Sequence, residues 1–482
     1  MGSTLMPATG SDHAMRDQPM ISDAMTPHIG LGDRLLARGH FAAAAESYRR
    51  VLRSCPGHAD TRIKLAHALK LAKDYVAAAA ILDALAADYP DNPAVMKECG
   101  RLSFAQHRFD EALDRFRDVI RLNPGDADAH HWLANLEILK DNPAVAREHY
   151  RRSIALKPLM RVPAIKPVPD FSVLFLFSPG NANTPPDTLV EQAPYESCFL
   201  LMLPEIEYDH RSLRQAAHLV VNLISDVDQG RDVLLLAAAL ADRIGLPVIN
   251  HPGAVLKTDR QSVAETLSGI PFCCVPPTVR LACDHAPISP GHWPKLIRVA
   301  GTHGGEDLEK VDSVAAISDF TRRFPNADFY LTDFIDYQSA DGFFRKYRFF
   351  CVGDEILPYH LAIHDSWKVH HYATDMENRP WMRHEEAEFL NDPRQFFDAR
   401  NFAALQAIRQ KIGLEFFGID CAIGRDGNLI VFEVNASMLV HRDGGAFAYK
   451  APAVDRIKHA FDAMLAGDVG QRRGQGLLGK CR

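Results

Sequence analysis

FFGIDCAIGRDGNLIVFEVNASM, residues 416–438, is the stretch on which the reading of this chain turns. Apolar residues run or alternate on both sides of Arg425-Asp426-Gly427-Asn428, the pattern of two strands joined by a hairpin whose tight turn is Asp426-Gly427. A symmetric two- or four-residue loop sets Asp420 directly opposite Glu433. Opposed side chains share a face, with Cβ atoms about 4.5–5.5 Å apart, and the period of two places Asn435 on the same face as Glu433. Two carboxylates at that distance repel, so neutralising either one is expected to cost little stability. A hard cation removes the repulsion: Mg²⁺, or Mn²⁺ in its place, takes oxygen ligands from a few carboxylates and from substrate phosphates. An exposed acidic pair on a solvated face would suit polar neighbours, whereas both strands are strongly apolar.

Upstream, three further segments precede this hairpin in order: INHPGAVLKTDRQSVAETLSGIPFCCVPPTVR (249–280), WPKLIRVAGTHGGEDL (293–308) and FYLTDFIDY (329–337). Together with the spacing Asp420…Glu433-Val434-Asn435 they resemble the ATP-grasp superfamily, in particular its ribosomal-protein glutamate ligases, glutathione synthetase and D-alanine ligase. The resemblance implies ATP as cofactor with one or two Mg²⁺ ions held by Asp420, Glu433 and Asn435. It makes Gly301, Gly304 and Gly305 a lid loop whose backbone N–H groups approach phosphate. It makes Asp333, Phe334 and Ile335 the hinge that holds adenine, with Asp336 at the ribose. Where the ligases carry two phosphate-binding lysines, this chain has Arg260 and Arg298, which keep the charge and change the geometry. Arg348 matches the arginine that steadies the transferred phosphoryl or acyl-phosphate group, where negative charge concentrates before an amine attacks.

Between hinge and hairpin, residues 341–371 read as two strands flanking the turn Gly353-Asp354. They carry a basic cluster, His360, His364, Lys368, His370 and His371, suited to a substrate carboxylate or phosphate; no carboxylate motif there completes a zinc site. Cys273-Cys274, with Cys283 and His285, lacks the spacing of a zinc-chelating pair and reads as buried small side chains.

The N-terminal third repeats. Prolines 56, 90, 124 and 158 recur every 34 residues, each preceded at twelve residues by alanine (Ala44, Ala78, Ala112, Ala146) and at eight by a large apolar residue (Tyr48, Leu82, Phe116, Tyr150). Gly32, Ala66, Gly100 and Ala134 mark the close crossing of two helices in each unit. This pattern resembles the tetratricopeptide repeat, which implies about four helix pairs stacked into a short superhelix with a groove for a peptide or protein, or a rigid spacer.

The expected fold is therefore an all-α tetratricopeptide solenoid followed by an α/β pre-grasp domain and an α+β ATP-grasp domain. The corresponding spans are a disordered leader (1–26), repeats (27–160), a proline-rich linker (161–170), the pre-grasp domain (171–270), the ATP-grasp domain (271–470) and a flexible tail (471–482). FSVLFLF (171–177) and HLVVNLI (218–224) read as buried strands, the second leading through a helix to another at PVIN. A net charge of −7 gives no cationic footprint for nucleic acid or an anionic membrane. The longest purely apolar run, Val233 to Ala241, is far short of the ~20 residues that span a bilayer. Residues 1–26 hold no stretch of signal-peptide length, and Met6 stands where a myristoylation motif needs Ser or Thr. Nine scattered cysteines point to a reducing cytoplasm. The resemblance implies an ADP-forming carboxylate–amine ligase acting through an acyl-phosphate on a small-molecule acid or amine, with the repeats recruiting a peptide or protein. A small-molecule kinase and a nucleotide-sensing adaptor are the alternatives.

Overall fold

A computed structural model of the chain describes residues 26–37, 39–282, 292–302, 305–370, 374–436 and 438–478. The expected leader falls almost wholly outside these residues, as do Gly304, Cys283, His285 and His371. The described chain forms two compact units, one of residues up to Leu174 with Val190–Leu201, the other of Phe175–Leu189 with Met202 onward.

The first unit opens with eight consecutive helices: α1 (Thr26–Ala37), α2 (Phe41–Ser54), α3 (Ala59–Leu71), α4 (Tyr75–Asp88), α5 (Pro93–Ala105), α6 (Phe109–Leu122), α7 (Ala127–Leu139) and α8 (Pro143–Leu156). Short polar side chains begin several of them: Asp74, Asn92 and Asp126 accept hydrogen bonds from first-turn N–H groups that have no partner inside the helix. The recurring columns are the packing seam. Ala44, Ala78, Ala112 and Ala146 have no exposed surface. A Cβ added to Gly32 would sit 2.4 Å from the Tyr48 ring, and one added to Gly100 would sit 2.9 Å from the Phe116 ring. The small residue of one helix therefore receives the large residue of the next, which fixes how closely each pair can cross. The Phe116 ring in turn stacks on Trp132 with centroids 5.5 Å apart, joining one repeat to the following one.

The array also carries a built-in acid sensitivity. His131 in α7 is buried, and burial lowers its pKa to about 4 against the opposing pull of Asp128. An unfolded histidine titrates near 6.5, so between these values the unfolded chain binds a proton that the fold excludes. Stability must then rise with pH across that window and be lost as pH falls through it. At pH 5 the loss should be about 2 kcal/mol. Amide exchange in α7 should show this weakening between pH 7 and 5 in the parent chain, and a much smaller one in His131→Asn; equal weakening in both would contradict it.

After the helices, β1 (Met160–Val162) pairs antiparallel with β3 (Glu196–Leu201), Met160 facing Phe199. The proline-rich stretch expected as a bare linker is thus anchored within the first unit, because residues without helical period can still form an edge strand. The division between units falls inside β2 (Ser172–Phe177).

In the second unit, β4 (Leu219–Asn222) and β5 (Val248–Ile249) are parallel and are connected through the helix Val227–Ile244. This is the expected strand–helix–strand segment. Two sheets follow. One has β7 (Thr278–Leu281), β10 (Phe329–Asp333), β8 (Lys295–Val299) and β9 (Leu308–Val311) in that spatial order; the other has β12 (Glu355–His364), β11 (Phe344–Val352), β13 (Phe416–Ile423), β14 (Leu429–Asn435) and β6 (Cys273–Cys274). The last helix, Ala451–Leu478, runs into the stretch expected as a tail, since each residue added to an existing helix closes one more backbone bond. Among the described residues no helix is long and apolar enough to cross a membrane.

Candidate active site

Four adjacent antiparallel strands place one residue each in a single row. His360 on β12 faces Arg348 on β11, Arg348 faces Asp420 on β13, and Asp420 faces Glu433 on β14. Directly opposed residues share a face, so the row points to one side of the sheet. All four line a cavity of about 440 Å³ that the four-stranded sheet also walls through Leu296 and Arg298 of β8 and Asp333 of β10.

The Asp420–Glu433 opposition follows the sequence pattern, but by another route. The loop spans Gly424–Asn428, with Ile423 facing Leu429, and the register shifts between Asp420 and Cys421 because Phe432 is an extra residue on β14. A second shift adds Tyr359 on β12, where Phe349 faces Pro358; Pro358 lacks the N–H a regular ladder would use. The row is thus flanked by a bulge on either side, and both bulged residues line the cavity.

The carboxylates do not stand bare. Asp420, 1% exposed, accepts from Arg348 Nε at 2.6 Å and Nη2 at 2.9 Å, and Lys346 Nζ lies 2.6 Å from its Oδ2. Glu433 Oε1 accepts from Arg260 Nη2 at 2.7 Å and from Asn435 Nδ2 at 3.1 Å. Burial alone would raise both carboxyls. Arg348 and Lys346 more than reverse this at Asp420, as Arg260 and Arg298 do at Glu433, so both are held below the usual carboxylate range. The expectation that neutralising a carboxylate relieves repulsion is corrected here: the dominant neighbour of each is a cation.

Around the row, four cations (Arg260, Arg298, Lys346 and Arg348) meet two carboxylates in the same cavity wall. Arg298 is the least satisfied. Its Nη2 donates to Thr302 O at 2.9 Å, but its buried Nε has no hydrogen-bond partner among the described residues. Burial, and then the neighbouring Arg260, lower its pKa to about 10. An unmatched buried donor in a cation-rich wall fits a polyanion such as a triphosphate. Two carboxylates and an amide fit Mg²⁺, which takes few protein ligands when phosphates supply the rest. Among the described residues no group of three or more His, Cys, Asp or Glu is arranged to hold a metal by itself.

The expected nucleotide residues are only partly assembled. Gly305 lines the cavity at φ +83°, where a Cβ would approach Lys368 Cε to 3.2 Å. Gly301 lines a smaller cavity with Arg260, Glu433 and Asn435, but its backbone is already engaged: its N–H donates to Asp228 Oδ2 at 3.2 Å and its carbonyl accepts from Gln229 Nε2 at 2.6 Å. Asp333, Phe334 and Ile335 line the cavity, yet the N–H groups of Asp333 and Phe334 already donate to Pro277 O and Pro294 O. The Asp333 carboxylate is ion-paired with Lys295. A ligand at this end of β10 would meet carbonyl oxygens, Ile335 and the Phe334 ring, which meets Trp367 edge-on at 5.7 Å. Asp336 is exposed and accepts from Arg425 Nη2 at 2.9 Å.

The basic cluster divides. His360 is buried against Glu386, Nδ1 to Oε1 2.5 Å, and burial lowers its pKa despite that carboxylate. His370 and Lys368 line the cavity, whereas His364 Nδ1 accepts from the Ser366 N–H at 2.8 Å. Cys273 sits half-buried on β6 beside β14, its thiol pushed up to about 12 chiefly by burial, whereas Cys274 is exposed, so the expected pair of buried small side chains is corrected: alternate residues of this short edge strand face opposite ways. The residue that sequence reasoning missed is Lys346. It stands two positions before Arg348 in a strand of period two, which was signal enough to put both on one face.

Models of the tetratricopeptide repeat match residues 35–97 and 100–160, and the eight helices are such an array. None of the curated proteins matches the chain. Among solved structures, MamA from Desulfovibrio magneticus RS-1 is similar at 21% identity over 28% of this chain and 75% of its own, with a TM-score of 0.25. A RimK domain ATP-grasp protein from Sphaerobacter thermophilus DSM 20745 is similar at 16% identity over 62% of this chain and 99% of its own, with a TM-score of 0.36. D-alanine–D-alanine ligase from Bacillus anthracis, complexed with ATP, is similar at 9% identity over 64% of this chain and 99% of its own, with a TM-score of 0.42.

Proposed function

We propose that this chain is an ATP-grasp, ADP-forming carboxylate–amine ligase of the cytoplasm whose repeat array recruits a peptide or protein substrate. The observation that carries the reading is the row Arg348–Asp420–Glu433 with Arg260 and Arg298 beside it, an arrangement whose charge a metal-bound triphosphate completes. Asp420, Glu433 and Asn435 would hold Mg²⁺, which when bound neutralises phosphate charge. Arg260 and Arg298 bind phosphate oxygens, and Arg348 orients the transferred group toward a substrate carboxylate. Apolar walls contributed by Leu296, Ile335, Phe432 and Met438 would help shield an acyl-phosphate from hydrolysis before an amine displaces phosphate to give an amide.

The test is to incubate purified chain with Mg-ATP and pools of acids and amines, then to quantify ADP and inorganic phosphate and identify adducts by mass spectrometry. Matched release of ADP and phosphate with a new amide is the expected result. A phosphorylated product without free phosphate would make the chain a small-molecule kinase, and binding without turnover would make it an adaptor.

A further inference from the structure

Asp420 is one buried carboxylate shared by two cations. Arg348 engages it with Nε on one oxygen and Nη2 on the other, the planar fork that matches a carboxylate. Lys346 adds a single contact to Oδ2, the oxygen that Nη2 also uses. A carboxylate neutralised by the arginine gains little from a second charge, and both cations pay desolvation to be there. Lys346 is thus the cation in excess. It projects from β11 on the face of Arg348, lines the same cavity, and keeps 24% of its side chain exposed against 1% for Asp420. Its ammonium is a compact charge on a flexible four-carbon stem that can swing to another anion without disturbing the Arg348 fork.

We propose that Lys346 is a phosphate-binding residue of this site, the cation that leaves Asp420 for the polyphosphate chain of a bound nucleotide. The inference rests on the nucleotide reading above and adds a residue to it. It also bears on a departure seen in the sequence: with arginine at 260 and 298, Arg260 is engaged by Glu433, and β11 supplies a lysine beside Asp420.

The experiment titrates the full chain with the β,γ-imido analogue of ATP in EDTA, so that affinity reports the cation cluster without a metal. Lys346→Met should weaken binding about tenfold, the size of one charge-assisted hydrogen bond, both in the parent chain and in an Asp420→Asn background. Lys346→Arg should retain most of the affinity in both. If Lys346 serves only as counter-ion to Asp420, the effect of Lys346→Met disappears once Asp420 is neutral, and the proposal falls. It falls equally if Lys346→Met leaves affinity unchanged in the parent chain. Failure of the parent chain to bind the analogue with or without magnesium would overturn the nucleotide reading itself, and this inference with it. Circular dichroism and the melting midpoint of each variant separate these outcomes from loss of fold.

Discussion

Asp420→Asn is expected to lose function and stability together. The substitution keeps the shape of the side chain and removes the charge that Arg348 and Lys346 share, leaving two cations facing a neutral amide. Breaking a buried pair by removing one partner costs about 3–5 kcal/mol, and the low end applies here because both cations remain partly hydrated. Turnover should fall about 10³-fold, since a neutral amide cannot supply the charge that a group aimed at the reacting phosphates provides. The stability loss has a pH signature. Asp420 titrates below an unfolded aspartate, so its contribution is fully present above about pH 4 and is lost as pH falls through the folded value. Melting curves of parent and variant should therefore differ most near neutrality and converge in acid. A variant as stable as the parent at pH 7 would show that the Arg348 pairing contributes nothing.

Arg298→Met should separate the two quantities. Methionine keeps much of the apolar stem that packs in β8 and deletes a guanidinium whose Nε has no partner among the described residues and whose charge faces Arg260. Relief of that burial should raise stability by about 1 kcal/mol, while affinity for Mg-ATP falls about 100-fold with the lost phosphate contacts. A gain in stability against a loss in binding is the mark of a residue kept for its ligand. Unchanged titration of Mg-ATP into this variant would remove Arg298 from the phosphate site.

The helical array was readable because its information is local. A 34-residue period, an alanine column and a large apolar column and a small residue at each crossing all fall inside one unit of chain, and the contacts of Gly32 with Tyr48 and Gly100 with Phe116 are the same columns seen in space. The hairpin was readable for the same reason. What the site adds is non-local. Arg348 lies 72 residues from Asp420 and Arg260 lies 173 from Glu433, and no periodicity within a strand announces which cation will reach which carboxylate. The engagement of Gly301 with Asp228 and Gln229 likewise depends on a helix far upstream. The Asp420–Glu433 opposition came from a loop of the wrong length whose error Phe432 cancels, and neither deviation leaves a trace in the apolar pattern.

That extra residue gives the hairpin an unusual tolerance. Deleting Phe432 would leave Glu433 across from Asp420 with regular pleating, because the inserted position is the one removed. Deleting a residue on the far side of Asp420 would slip the partner strand by one and turn its side chains over. A survey of single-codon losses along residues 416–435 should therefore be asymmetric, permissive at one position and severe around it. At the permissive position the penalty would appear in the shape of the wall that Phe432 contributes to the cavity, hence in ligand selection, rather than in whether the strands pair.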